Sequence, residues 1–162
     1  MNIASLLPEH WPEVKAIYEA GLATGNASFQ TSAPSWEEWN SSHLAHSRLV
    51  ALEGNTIVGW TALTPVSGRC VYAGVAEVSV YVSPDHAGQG IGEKLLRALI
   101  QASEAGGIWT LQAGIFPENK ASLRIHEKIG FRQVGYREKI GKMGDRWRDT
   151  VLLERRSTVA GV

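Results

Sequence analysis

The stretch Ala76–Leu96, AEVSVYVSPDHAGQGIGEKLL, constrains the fold of this chain more than any other. Val78, Val80 and Val82 alternate with Glu77, Ser79 and Tyr81, which is the period of a strand from Val75 to Val82. Ser83-Pro84 ends that strand, and Gly88-Gln89-Gly90-Ile91-Gly92 forms a glycine-rich turn. Leu95, Leu96, Leu99 and Ile100 then give the buried stripe of a helix from about Gly90 to Ala105. Such a turn brings backbone N–H groups together on an anion, with the positive end of the helix dipole behind them. A strand that feeds a crossover helix lies inside its sheet, where both faces are covered. A polar row of Glu77, Ser79 and Tyr81 on such a strand reads as the lining of a cavity, where an edge strand would simply show it to water.

The phosphate ligand is not specified by a nucleotide motif. Lys94 is misplaced for a Walker lysine, and glycines 88, 90 and 92 alternate where a dinucleotide fingerprint needs G-x-G-x-x-G. Standing alone, the three glycines could equally form a tight turn and nothing more.

The rest of the chain supplies the other layers. Asn2–Leu6 reads as a strand, and a helix opened by Pro8 and Pro12 carries Val14, Ile17, Tyr18 and Leu22 before Gly25 stops it. Asn26–Pro34 is a polar, turn-rich loop with an exposed-looking Phe29. Ser35 and Glu38 form a capping box for a helix through Trp36 and Trp39. Leu49–Glu53 and Thr56–Thr64 form a hairpin around Gly54-Asn55. Thr110–Phe116, Phe131–Ile140 and Trp147–Leu153 read as strands, with a helix Asn119–Ile129 stopped by Gly130. The expectation is an α/β (α+β) fold, a mixed sheet of about six to seven strands flanked by about four helices.

Composition narrows the function classes. Sixteen basic residues balance sixteen acidic ones, so no net charge argues for nucleic acid or an anionic membrane as partner. Cys70 is the only cysteine, which excludes an internal disulfide and any multi-cysteine metal site. The five histidines lack ligand spacing; His43 and His46, three apart, read as solvated surface, and no metal is expected. No signal-peptide pattern and no apolar run of about 18 residues is present, so a cytoplasmic location is expected. One domain over residues 1–156, with a short flexible tail at 157–162, suits the 162-residue length.

The run YVSPDHAGQGIGEKLL resembles the acetyl-CoA motif of the GNAT N-acetyltransferase superfamily, and NKASLRIHEKIGFRQVGY resembles its second signature. AEVSVYVSP, LRIHEKIGF, Trp147-Arg148-Asp149 and FQTSAPSWEEW are similar to the phosphinothricin and methionine sulfoximine acetyltransferase branch. The resemblance implies a largely antiparallel, twisted GNAT-like sheet, acetyl-CoA as co-substrate, a small-molecule amine as acceptor and a homodimer. Two positions depart from the pattern: Ala87 and Gln89 stand where the family usually carries basic or glutamine side chains. Backbone donors from Gly88, Gln89, Gly90, Ile91 and Gly92 would still hold the pyrophosphate.

By the same resemblance, the backbone of Val80, Tyr81 and Val82 pairs with the pantetheine arm, and Asn119 and Ser122 contact the cofactor. An asparagine at that place also needs no role beyond a helix cap. Glu77 is the candidate general base, because an ammonium must lose a proton before it attacks a thioester. His126 takes the place where the superfamily puts the group that protonates the thiolate; a helix histidine bonded to a carbonyl would look the same. Phe29, Thr31, Arg69 and Tyr72 are implied for the acceptor, Arg69 through a bidentate contact to an acid group, although a loop arginine also suits plain surface. The expected activity is N-acetylation of an amino-acid-like amine of the phosphinothricin or methionine sulfoximine/sulfone type. The alternatives are acetylation of protein N-termini or lysines, and an acetyl-CoA-binding sensor domain without turnover.

Overall fold

The computed structural model describes residues 1–162. Seven strands form a single sheet: β1 (Asn2–Ser5), β2 (Leu49–Glu53), β3 (Thr56–Pro65), β4 (Val75–Val82), β5 (Thr110–Ile115), β6 (Arg132–Met143) and β7 (Arg146–Arg156). Their order is β1-β2-β3-β4-β5-β7-β6, and every neighbouring pair is antiparallel except β4 with β5. The helices are α1 (Trp11–Leu22), α2 (Trp36–Ser42), α3 (Ile91–Ala105) and α4 (Lys120–Lys128). This is the mixed sheet flanked by helices that the element pattern implies, with the largely antiparallel pairing that the family resemblance implies.

The two faces of the sheet bury different side chains. On the α1 and α2 face, Val14, Trp39, Val50 and Trp60 are fully buried, and Trp39 meets Trp60 edge-on at 5.7 Å. On the other face Leu95, Leu96 and Leu99 of α3 pack on valines of β4 and on Leu111 and Leu153. Each such large apolar side chain contributes roughly 1.5–3 kcal/mol by leaving water. The stripe at positions 95, 96, 99 and 100 is therefore what attaches α3 to the sheet.

Local chemistry sets the boundaries. Gly25, at φ 75, donates its N–H to Leu22 O and ends α1 as expected. Ser35 Oγ accepts from the Glu38 N–H at 3.2 Å while the Ser35 N–H donates to Glu38 Oε1 at 3.3 Å, completing the capping box. β6 and β7 extend beyond the expected segments into one long hairpin. Register shifts at Gln133/Gly135 and Arg137/Gly141 break the alternation of β6. Residues 157–162, expected as a loose tail, carry hydrogen bonds: Arg156 donates to the carbonyls of Ser157, Ala160 and Gly161 at 2.8, 3.0 and 2.8 Å. No helix is long and apolar enough to cross a membrane.

β4 lies centrally, between β3 and β5, and its two neighbours treat it differently. It pairs with β3 along its whole length, from Ala76 to Val82. With β5 it pairs only over Val75–Thr110, Ala76–Leu111 and Glu77–Gln112, after which the two strands part.

Candidate active site

The parting of β4 from β5 opens a cavity of about 830 Å³, lined from both strands, from the α1–α2 loop and from α4. Its inner boundary is the last rung, where Gln112 Nε2 donates to Glu77 Oε1 at 3.1 Å. Glu77 is half-buried, lines the cavity and takes part in none of the ion pairs of the molecule. A carboxylate held only by a neutral amide keeps its remaining acceptor sites for a substrate ammonium or a water.

Beyond that rung β4 presents an open backbone edge. The Ser83 N–H donates to Val58 O at 2.8 Å, so residues in step with Ser83 turn their backbone groups toward β3. Thr61 Oγ1 donates to Ser79 O at 2.8 Å, on the same side. The alternate residues, Val80 and Val82, therefore aim N–H and C=O into the gap, where no strand meets them. The expectation for residues 80–82 thus divides. Tyr81 is in step with Ser83, and its ring stacks on Trp60 at 5.1 Å and meets Tyr18 at 4.8 Å.

The glycine turn stands at the outer end of this edge. Gly88 and Gly90 have φ values of 76 and 77, and a Cβ on either would meet nothing within 4 Å. Gly90 is the N-cap of α3 and no side chain caps that terminus. Gly92 sits beside Val82 and Ile125, with a Cβ there coming to 3.6 and 3.5 Å, so the helix start abuts the end of the open edge. None of Gly88, Gln89, Gly90, Ile91 and Gly92 lines the cavity itself. An open edge leading to an uncapped helix N-terminus fits an amide-bearing arm that ends in a pyrophosphate. The anion in the first turn, Glu93, is matched by Arg97 at 2.9 Å and Lys128 at 3.0 Å, whose hydrogen bonds hold its carboxyl below the usual range.

His126 is 2% exposed and lines the cavity from α4. Its Nδ1 lies 2.7 Å from Ser122 O, which can only accept, so Nδ1 carries the hydrogen and the neutral ring leaves Nε2 as a lone pair. Nε2 is buried without a protein partner. Burial lowers the pKa of this imidazole and the bond to Ser122 O opposes that only in part, so the resting ring is neutral. Asn119 and Ser122 both line the cavity, and Asn119 also has structural partners. Its Oδ1 accepts from the Ser122 N–H at 3.3 Å as the N-cap of α4, and its Nδ2 donates to Asn26 O at 3.3 Å.

The acceptor residues implied by resemblance separate. Phe29 lines the cavity, edge-on to Phe116 at 5.0 Å. Thr31 lies outside it, in a shallow depression under the start of α2. Arg69 and Tyr72 are also outside, on an exposed turn before β4, where the guanidinium lies 5.6 Å from the Tyr72 ring centroid. Spacing to Glu77 along the chain did not reveal that placement.

Three residues without an expected role stand at the site, His43 and Arg137 in the cavity lining and Arg148 behind the loop that walls it. His43 is no solvated surface residue: it stacks on Trp39 at 4.1 Å, its Nδ1 is 2.7 Å from Trp39 O, and it lines the cavity. Arg137 of β6 lines the far side without a hydrogen bond or ion pair to the protein. Arg148 of β7 is 3% exposed and ties the acceptor loop down, donating to Gly25 O at 2.7 Å and Asn26 Oδ1 at 2.9 Å. Its guanidinium lies 3.9 Å from the Phe116 ring centroid, with Glu118 at 3.4 Å.

The acetyltransferase (GNAT) family profile matches residues 10–131. This chain belongs to the GNAT acetyltransferase family. Among GNAT relatives, the phosphinothricin N-acetyltransferase of Alcaligenes faecalis is 35% identical over 150 residues, 89% of this chain and 76% of that one. The L-methionine sulfoximine/L-methionine sulfone acetyltransferase of Salmonella typhimurium is 32% identical over 111 residues, covering 68% of this chain and 65% of that one. The solved structure of the acetyltransferase YncA from Salmonella typhimurium with its cofactor acetyl-CoA superposes with a TM-score of 0.88 at 26% identity, over 96% of this chain and 93% of that one.

Proposed function

We propose that this acetyl-CoA-dependent acetyltransferase transfers the acetyl group to the primary amine of a small amino-acid-like acceptor of the phosphinothricin or methionine sulfoximine/sulfone type. The observation that carries the reading is Glu77: a carboxylate without an ion pair, on the last rung before the open edge of Val80 and Val82. The acceptor loop pinned by Arg148 walls the cavity beside it, which favours a small acceptor over an extended peptide.

The reaction balances on this chain's own groups. Glu77 takes one proton from the substrate ammonium, directly or through water. The free amine attacks the thioester carbon, and an N–H of the open β4 edge stabilises the developing oxyanion. The tetrahedral species carries N⁺H₂ and O⁻. His126 Nε2, a lone pair at rest, takes the second proton, the C–S bond breaks, and the same proton passes to the departing thiolate. The products are the amide and CoA thiol, and the proton on Glu77 goes to solvent. On this reading His126 relays a proton that the acceptor itself supplies.

The homodimer is part of the proposal, and sedimentation velocity tests it. The activity is tested by following thiol release with acetyl-CoA against phosphinothricin, methionine sulfoximine, methionine sulfone, common amino acids, an aminoglycoside and a short peptide. Turnover confined to the amino acid analogues supports the reading. Turnover of the peptide alone moves the assignment to protein N-termini. Acetyl-CoA binding with no turnover at all leaves a sensor.

A further inference from the structure

The ionic state of the cavity points to what lies at the far end of the acceptor. Of its carboxylates, Glu118 is matched by Arg146 at 3.3 Å and Arg148 at 3.4 Å, while Glu77 has no cation. Arg148 spends its charge inside the protein, on Gly25 O, Asn26 Oδ1, Glu118 and the Phe116 ring. Arg69, the cation implied for an acid group, is outside the cavity beside Tyr72. Arg137 is the one guanidinium that lines the cavity; it is solvent-exposed and takes part in none of the ion pairs of the molecule. What is left is one free carboxylate and one free guanidinium.

Strand register relates the two. Glu77 is opposite Gln112. Gly114, two residues on, is opposite Leu152, and Thr150, two residues further along β7, is opposite Arg137. Every step is either across a rung or by two residues, so Glu77 and Arg137 share one face of the sheet. Three strand spacings of about 4.8 Å and four residues of about 3.3 Å separate their backbones by on the order of 20 Å. Two long side chains reaching toward each other close much of that span. They leave more than the distance between the amine and the carboxylate of a single α-carbon.

We propose that Arg137 binds the distal acid of the acceptor, the phosphinate or carboxylate at the end of a glutamate-length side chain, while Glu77 meets its amine. The inference rests on the acetyl-transfer reading above and adds a preference to it: acceptors with an anionic end are favoured over neutral ones of similar length. A guanidinium gains from an anion what it does not gain from a sulfone, since charge-assisted bonds are about twice as strong as neutral ones.

The test compares kcat/KM for phosphinothricin, whose far end is anionic, with that for methionine sulfone, whose far end is neutral. Both are measured for wild type, Arg137→Gln and Arg137→Lys. The wild type favours phosphinothricin, more so at low salt. In Arg137→Gln the phosphinothricin value falls roughly 10- to 100-fold further than the sulfone value, as expected for losing a hydrogen-bonded charge. Arg137→Lys keeps part of the preference. An unchanged ratio in Arg137→Gln, or an equal fall for both acceptors, overturns the role of Arg137 and leaves the acetyl-transfer reading standing. A wild type that acetylates neither acceptor defeats that reading, and this inference with it.

Discussion

Gln112 donates its side-chain N–H to Glu77 at 3.1 Å across the last rung that joins β4 to β5. The bond fixes the carboxylate at the apex of the cleft without neutralising it. Sheet pairing on one side and an open edge on the other therefore meet at the residue proposed to start the reaction.

Glu77→Gln keeps this shape and removes the base. It should lower kcat by about 10²- to 10⁴-fold near neutral pH. The deficit should shrink as pH rises and more of the acceptor arrives as free amine. Turnover of both proteins across pH measures this, and an equal rate at every pH would sink the assignment.

Arg148→Met removes the guanidinium that holds Gly25 and Asn26 while keeping an apolar stem against Phe116. Leaving those half-buried acceptors unmet should cost about 1–3 kcal/mol of stability by chemical denaturation. Because the tie is to the acceptor loop, KM for the acceptor should rise more than KM for acetyl-CoA. The reverse order would assign Arg148 to the cofactor side.

Gly90→Ala tests the helix start. Alanine at φ 77 meets no atom within 4 Å, so its cost is backbone strain, about 1–2 kcal/mol. Gly54→Ala, at φ 61 in the β2–β3 turn and equally free of contacts, is the matched control. Thermal melts should show similar losses for both, while only Gly90→Ala raises KM for acetyl-CoA.

Burial holds the pKa values of His126 and His43 below the ordinary 6.5, and Arg48 lowers His43 further. In the unfolded chain both take up protons as pH falls below 6.5, and the folded chain resists this. Their contribution is thus fully present above pH 6.5 and is lost as pH drops through the folded values. Urea midpoints should fall between pH 7.5 and pH 5. His126→Gln should flatten that dependence, and an unchanged slope would exclude His126 as its source.

Much of the fold could be read from residue spacing, because α1, α3 and β4 each carry an unbroken apolar period. β6 could not be bounded that way. Its register shifts and the positive φ of Lys139 take side chains out of alternation just where a reader counts them. The glycine turn and Glu77 were legible because backbone chemistry and strand parity act locally. His43 and Arg148 were not, since their roles depend on partners distant in sequence: Arg148 meets Gly25 across 123 positions. The position of Arg69 beside Tyr72, outside the cavity lining, was not legible either, because distance along the chain from Glu77 does not fix where a turn places its side chains.

The open edge of Val80 and Val82 would grip its occupant through amides along the arm, and those amides are the same before and after the acetyl group leaves. On the proposed placement, spent CoA therefore competes with fresh acetyl-CoA for one seat on nearly equal terms. Throughput would follow the proportion of the two forms more closely than the amount of either, making a gap in a sheet a gauge of how fully charged the acyl pool is.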